Sequence, residues 1–215
     1  MSKNRLAPCR LYGFIDTAYV DELDPGEVAR ELIAGGVDIL QVRAKERSHA
    51  ERVDLGLKIV SAAFQYHVPV IIDDDIDAAF ETGADGVHLG QEDWAAIPRE
   101  QRADRLANMR IVGLSTHTLE QALAAERDGA DYIGVGPVFP TPTKPGVRPV
   151  GVELVREVAS QVKVPFFAIG GITLDNIGQV LEAGATRVAV VSAILKAPDG
   201  TEASAAFKRR LGNVK

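Results

Sequence analysis

The chain of 215 residues has a single cysteine, Cys9, which rules out an intramolecular disulfide and any multi-cysteine metal site. Its thiol reads as a small buried hydrophobe, and so little cysteine fits a reducing compartment. Long apolar runs are missing: no stretch reaches the ~20 residues a membrane helix needs. The opening MSKNRLAPCR also lacks the apolar core of a secretory signal, so the expected location is the cytoplasm. An excess of positive charge is missing too. The formal net charge is −6 and the pI about 5.3, which excludes a general attraction to nucleic acid or to an anionic membrane surface. Any anion site must therefore be assembled locally. There is no linker, charge block or low-complexity tract, and 46% apolar with 25% charged residues is ordinary globular composition. One domain over residues 1–215 is expected.

What the chain does have is a recurrent join. A helical stretch ends in glycine and small residues, and an apolar strand follows at once: GGVDILQVR at Gly35, TGADGVHLG at Thr82, DGADYIGVG at Asp128 and AGATRVAVV at Ala183. The markers Gly36, Gly83, Gly129 and Gly184 fall at nearly even intervals, each spanning two strand–helix units. Midway lie LYGFID at Leu11, VPVIID at Val68, RIVGLS at Arg110 and VPFFAIGG at Val164, completing eight strands. Amphipathic segments alternate with them at Pro25–Ala34, His49–Gln65, Leu119–Arg127, Val152–Gln161 and Asp175–Ala183. Strict alternation with continuously apolar strands allows a closed barrel or an open doubly wound sheet. Eight short units with near-identical joins predict closure, an α/β fold that is a single (β/α)8 TIM barrel. The first strand turn, IDTAYVDELDPGE, also lacks the G-x-G-x-x-G fingerprint of an open dinucleotide-binding sheet. One connection is unusual. The segment Pro137–Gly151, PVFPTPTKPGVRPVG, is too rich in proline and glycine for a helix and reads as a lid or ligand loop.

In such a barrel, chemistry gathers at strand C-termini and in the loops after them. Gln41, Arg43 and Lys45 alternate at the end of the second strand and share a face while the backbone stays extended. A solvated strand end is the plain alternative; an amide and two cations at period two beside a buried run favour an anion site, with Arg43 as planar fork and Lys45 as point charge. The third strand ends in Asp73, Asp74 and Asp75, and the fourth leads through His88, Gly90 and Gln91 to Asp93. Asp75 reads as the cap of the helix that follows. Asp74 and Asp93, on neighbouring strand ends, can share one hard cation whose shell diphosphate oxygens and water complete, and Mg2+ is the natural candidate. Ser115, Thr116, His117 and Thr118 suit a phosphate or a helix cap equally. Thr141, Thr143 and Lys144 lie on the proline-rich loop, Lys144 stiffened between Pro142 and Pro145. Gly170 and Gly171 end the seventh strand and Val191 and Ser192 the eighth, where barrels often hold phosphate on backbone N–H groups. His88 and His117 read as structural, since no serine or cysteine nucleophile with a matched base accompanies them. Trp94 reads as packing or rim.

Together QVRAK, IIDDD, GADGVHLGQED, GLSTHT, DYIGVGPVFPTPTK, AIGGIT and VAVVSAI resemble thiamine-phosphate synthases, in that family's order and spacing from LYGFID to Ile194. GADGVHLGQED and the TPTK loop are specific, whereas AIGGIT is shared by many phosphate-binding barrels. The resemblance implies condensation of hydroxymethylpyrimidine diphosphate with thiazole phosphate, giving thiamine phosphate and diphosphate. The expected partners are thus small phosphorylated molecules, with no nucleic acid or membrane and with a homo-oligomer permitted. By the same resemblance Gln41, Arg43, Lys45, Ser115 and Lys144 surround the pyrimidine diphosphate, with Arg43, Lys45, Ser115 and Lys144 carrying catalysis. Asp74 and Asp93 hold Mg2+, while Thr141, Thr143, Gly171, Val191 and Ser192 bind the thiazole phosphate. Departure of diphosphate leaves a cation that the electron-rich ring stabilises, so catalysis mainly requires neutralising the leaving group. The attacking thiazole nitrogen carries no proton, so no general base is needed. Two positions depart from the family's pattern: Asp73 stands where asparagine is common, and Asp75 where arginine is common. Asp73 is expected to join the substrate site and the metal shell. Two rivals remain: a thiazole tautomerase on the same barrel, with His117 as proton shuttle, and a catalytically silent phosphate-binding protein. Intact QVRAK, acidic pair and TPTK oppose the first; the departures motivate the second.

Overall fold

The computed structural model describes residues 6–20, 22–143 and 146–212. Eight strands, β1 (Leu11–Asp16), β2 (Ile39–Arg43), β3 (Val70–Asp73), β4 (Gly86–Leu89), β5 (Ile111–Thr116), β6 (Tyr132–Val135), β7 (Phe166–Ile169) and β8 (Val188–Ala189), each pair in parallel with the next. The ring closes where Leu11 lies opposite Val188. Around it run α1 (Thr17–Val20), α2 (Pro25–Ala34), α3 (His49–Phe64), α4 (Ile76–Thr82), α5 (Gln91–Ala96), α6 (Arg99–Arg105), α7 (Leu119–Arg127), α8 (Gly151–Gln161), α9 (Ile177–Glu182), α10 (Ser192–Leu195) and α11 (Gly200–Gly212). The closed barrel expected from the alternating pattern is the fold observed. Among the described residues, no helix is long and apolar enough to cross a membrane.

The recurrent join has a physical basis beyond its glycines. Gly36, Gly83, Gly129 and Gly184 all take positive φ, the left-handed turn that lets a helix stop and a strand begin within a residue or two. Two residues after the first three stands an aspartate that fastens its strand to the preceding one. Asp38 donates its N–H to the Leu11 carbonyl (2.9 Å) and accepts the Leu11 N–H on its carboxylate (2.9 Å). Asp85 does the same with Val70 (2.8 and 3.1 Å), and Asp131 with Val112 (2.8 and 2.9 Å). The fourth join has Thr186 there instead, and Glu126 of α7 takes the N–H groups of Lys163 and Val164 ahead of β7 (2.6 and 3.2 Å). A hydrogen bond to a charged acceptor contributes roughly 1.5–3 kcal/mol, so these clasps are a substantial part of what fixes the strand starts. Lys208 of α11 pairs with Asp38, and Arg10 Nη1 donates to the Leu211 carbonyl (2.9 Å), so the last helix seals this end.

Side chains alternate about the strands, as a barrel requires. Outward residues such as Leu11, Ile15, Val70 and Ile133 pack under the helices, while Tyr12, Phe14, Ile39, Ile71, Ile111, Tyr132 and Phe167 fill the interior. Cys9 belongs to that inner column, and burial, with Asp38 nearby, pushes its thiol up to about 11. Space for Tyr132 is supplied by Gly113: a Cβ there would lie 2.2 Å from the tyrosine ring.

Candidate active site

At the C-terminal mouth of the barrel lies an open cavity of about 1020 Å³, solvent at its entrance included. The alternation of β2 aims Gln41, Arg43 and, just past the strand end, Lys45 into it, as the extended spacing predicts. Asp73, Asp74, Ser115, Thr141, Thr143, Gly171, Val191 and Ser192 line the same space. Asp93 sits in the first turn of α5 beside it, and Lys144 lies outside the described residues.

Opposite charges interleave along one side of the mouth. Arg43 Nη1 donates to Asp16 Oδ2 (2.8 Å), a carboxylate only 1% exposed at the end of β1, whose other oxygen accepts the Ala18 N–H (3.0 Å). Asp73 Oδ2 lies 3.8 Å from Arg43 Nε and 3.5 Å from Lys45 Nζ, so the extra negative charge at this position is held between two cations. Asp74 has φ 59° and gives its N–H to the His88 carbonyl (2.8 Å); this left-handed turn brings its carboxylate to Lys45. Asp75 caps α4 as expected, Oδ1 accepting the Ala78 N–H (2.9 Å). Its Oδ2 meets His49 (3.0 Å) and Arg52 (3.2 Å), outside the cavity lining, so the departure at 75 does not reach the pocket. Burial would raise the Asp75 pKa, but the Ala78 N–H, His49 and Arg52 together hold it below the usual carboxylate value.

Asp93 makes the helix-cap contact that competes with a metal role: Oδ2 accepts the Gly90 N–H (3.2 Å). Among the described residues, no group of three or more histidine, cysteine or carboxylate side chains is arranged around a metal position. Mg2+ sites built from one or two carboxylates plus substrate phosphates do not require such a group. Asp74 lines the cavity, and Asp93 lies in the first turn of α5 outside that lining.

The two readings of the segment at the end of β5 divide between its residues. Ser115 faces the cavity, whereas Thr118 caps α7 through the Gln121 N–H (3.2 Å). His117 donates Nδ1–H to the Gly136 carbonyl and its backbone N–H to Gln121 Oε1 (2.7 Å). The proline-rich loop is docked on the end of β7: Val138 N–H bonds the Ile169 carbonyl (2.8 Å) and Phe139 N–H the Gly170 carbonyl (3.0 Å). Gly171, at φ 63°, passes so close that a Cβ would fall 2.4 Å from the Pro140 carbonyl oxygen. From the other side Tyr19 OH meets Thr143 Oγ1 at 3.0 Å. Trp94 packs into the core under the Arg102 guanidinium, 4.0 Å from the ring centre.

Sequence reasoning missed Asp16, Tyr19 and the aromatic floor of Tyr12, Phe14, Tyr132 and Phe167, whose ring centres lie 5.1–5.8 Å apart. A signal for the floor was present, since two tyrosines at inward strand positions must find partners for their hydroxyls.

A family model described as thiamine monophosphate synthase matches residues 11–194. The chain is 43% identical over 203 residues to the thiamine-phosphate synthase of Shouchella clausii, covering 94% of this chain and 96% of the relative. It is 48% identical over 183 residues to that of Thermus thermophilus, covering 85% and 86%. The solved thiamine phosphate pyrophosphorylase of Pyrococcus furiosus superposes with a TM-score of 0.86 at 36% identity, covering 99% of this chain and 98% of that one.

Proposed function

The chain belongs to the thiamine monophosphate synthase family and is a transferase; from that premise we propose that it joins hydroxymethylpyrimidine diphosphate to thiazole phosphate by dissociative loss of diphosphate. One observation carries this reading: Arg43 and Lys45 converge with Asp73 and Asp74 at a single mouth, opposite Thr141, Thr143, Gly171 and Ser192. Two anionic substrates can lie there side by side.

In this scheme Gln41, Arg43, Lys45, Ser115 and Lys144 hold the pyrimidine diphosphate. The bond between the pyrimidine methylene carbon and the diphosphate oxygen breaks, and its electron pair leaves with the oxygen. Arg43, Lys45 and Lys144 offset the charge that develops on the leaving group. The thiazole, positioned by Thr141, Thr143, Gly171, Val191 and Ser192, then gives its nitrogen lone pair to the methylene. A carbon–nitrogen bond replaces a carbon–oxygen bond and no proton moves, so the barrel requires no general base. Asp74 and Asp93 would hold Mg2+, which when bound supplies further neutralisation of diphosphate oxygens. Lys45, paired with Asp74 in the free enzyme, can turn to the diphosphate and leave that carboxylate to the metal. Asp73, wedged between both cations, tempers their charge until substrate arrives. Holding both reactants in one cavity accounts for much of the remaining acceleration.

The test is to incubate the purified protein with both substrates and Mg2+ and to measure thiamine phosphate as its fluorescent oxidation product. Formation of product, with loss in Asp74→Ala and Lys144→Ala and retention in His117→Ala, is expected. The reverse pattern would instead identify an isomerase working through His117, and calorimetric binding without diphosphate release would identify a silent binder.

A further inference from the structure

Along the cavity wall runs an unbroken line of hydrogen bonds whose three middle members, Tyr12, Tyr132 and His88, the proposed chemistry does not use. Gln41 Nε2 donates to the Tyr12 hydroxyl (2.8 Å), and the Tyr12 and Tyr132 hydroxyls are 2.9 Å apart. Tyr132 OH is 3.0 Å from His88 Nδ1, and His88 Nε2 is 3.0 Å from Ser115 Oγ. Five different strands, β2, β1, β6, β4 and β5, contribute one residue each. Its members from Gln41 to His88 are all buried. The line is built into the backbone: a side chain at Gly113 would strike the Tyr132 ring, and a Cβ at Gly134 would already touch His88 Cε1 at 3.5 Å.

The donor inventory gives this line a direction. An amide nitrogen only donates, so the Tyr12 oxygen accepts from Gln41, and in the direction proposed here its one proton goes to Tyr132. The one proton of Tyr132 then goes to His88 Nδ1, which must be bare. A neutral imidazole with a bare Nδ1 carries its proton on Nε2 and gives it to Ser115. Gln41 spends its amide N–H groups on the Tyr12 and Tyr132 hydroxyls, so what is left at the ends is the Gln41 carbonyl oxygen, an acceptor, and the Ser115 hydroxyl proton, a donor. Burial raises the pKa of both phenols, so neither ionises and both stay single-proton links.

We propose that Tyr12, Tyr132 and His88 are positioning residues that impose this polarity across the barrel, so that the pocket selects a ring with an amine N–H facing Gln41 and a lone-pair acceptor facing Ser115. The proposal rests on the reading above that these two residues meet the pyrimidine. A ring bearing a carbonyl in place of the amine would set acceptor against acceptor, an unpaired polar contact that discriminates strongly. His88, which its position alone suggests to be a packing residue, is on this account the element that converts the polarity of Gln41 into that of Ser115.

Two measurements test it. In the ligand-free enzyme at neutral pH, the ring-nitrogen resonances of His88, assigned with His88→Gln, should show the neutral tautomer protonated on Nε2. The opposite tautomer would mean that the bonds from Tyr12 through Tyr132 and His88 to Ser115 run the other way, and would overturn the proposal whatever the turnover. In kinetics, Tyr132→Phe and Tyr12→Phe remove a hydroxyl and keep the ring. Each should lower kcat/KM for the pyrimidine diphosphate about tenfold or more, chiefly through KM, with the KM for thiazole phosphate unmoved. The preference over the oxo analogue should shrink by a similar factor. His88→Gln, which keeps an N–H toward Ser115, should retain more activity than His88→Leu. Folded Tyr→Phe variants with parental constants for both ring types would refute the relay. If the parent makes no thiamine phosphate at all, the proposed activity fails, while the tautomer still decides whether the line has the stated direction.

Discussion

Replacing Arg43 should weaken the fold as well as the chemistry. Its partner Asp16 is 1% exposed and, among the described residues, holds only the Ala18 N–H besides the guanidinium, whereas Arg43 itself is 15% exposed. Arg43→Met keeps most of the apolar stem and deletes the charge, leaving a carboxylate closed off from water with one backbone donor. Removing one partner of a buried ion pair costs roughly 3–5 kcal/mol. Because Arg43 reaches the cavity and some water can replace it, the lower end, about 3 kcal/mol, applies. For a domain of this size each kcal/mol moves Tm by about 2–4 °C, so a fall of roughly 6–12 °C is expected. Asp16→Asn in the Arg43→Met background removes the stranded charge and should recover about half the loss or more. Turnover should stay abolished, since the diphosphate still lacks its fork. Thermal melts of the parent, both single variants and the double variant, with turnover measured on each, form a complete cycle. An Arg43→Met melt within about 2 °C of the parent, or a double variant no more stable than Arg43→Met, would refute this account of the pair.

Three further expectations concern other parts of the molecule. Hydrogen bonds to Asp75 and then Glu81 raise the His49 pKa above the ordinary 6.5, so the folded state binds this proton more tightly; its contribution is complete below 6.5 and fades as pH rises through the folded value. The urea midpoint of His49→Gln should therefore fall further below the parent's at about pH 5.5 than at about pH 8.5, and equal deficits would count against the assignment. Gly171→Ala places a Cβ against the Pro140 carbonyl at an unfavourable φ, and should raise KM for thiazole phosphate about tenfold while sparing the pyrimidine substrate; steady-state kinetics with each substrate varied decides it. Cys9, pushed up to about 11 chiefly by burial, should resist a disulfide-exchange reagent in the folded protein and react once urea unfolds it; fast labelling of the native state would contradict its placement in the core.

The barrel was legible because its signals are local. Apolar runs marked by Gly36, Gly83, Gly129 and Gly184 locate the strands, and period two at Gln41, Arg43 and Lys45 suffices to aim three side chains at one mouth. Asp75 was readable as a cap for the same reason, since its partner is three residues away. Helix α6 was not singled out because REQRADR buries nothing and so shows no apolar stripe. Asp16 ends an apolar strand in plain view, yet its meaning depends on Arg43, a partner on the next strand that only the register of β1 and β2 reveals. The line from Gln41 to Ser115 is more remote still: Tyr12 and Tyr132 are 120 residues apart, and no spacing rule connects them. At Asp93 the local contact is the one the structure contains: the carboxylate accepts the Gly90 N–H three residues back.

The aspartate clasps lie at the end of the barrel remote from the cavity, and each ties an odd-numbered strand to its successor. Within each of these three pairs, the aspartate satisfies the Leu11, Val70 or Val112 N–H without a contribution from a further pair. Half a barrel, cut between β4 and β5, would keep the clasps at Asp38 and Asp85 within itself. Two such halves would have two seams to match, one where the Arg110 N–H reaches the Asp85 carbonyl and one where the Val188 N–H reaches the Arg10 carbonyl. Fastening is thereby kept at one rim and the cavity at the other, so side chains at the mouth can change without touching the aspartates that start the strands.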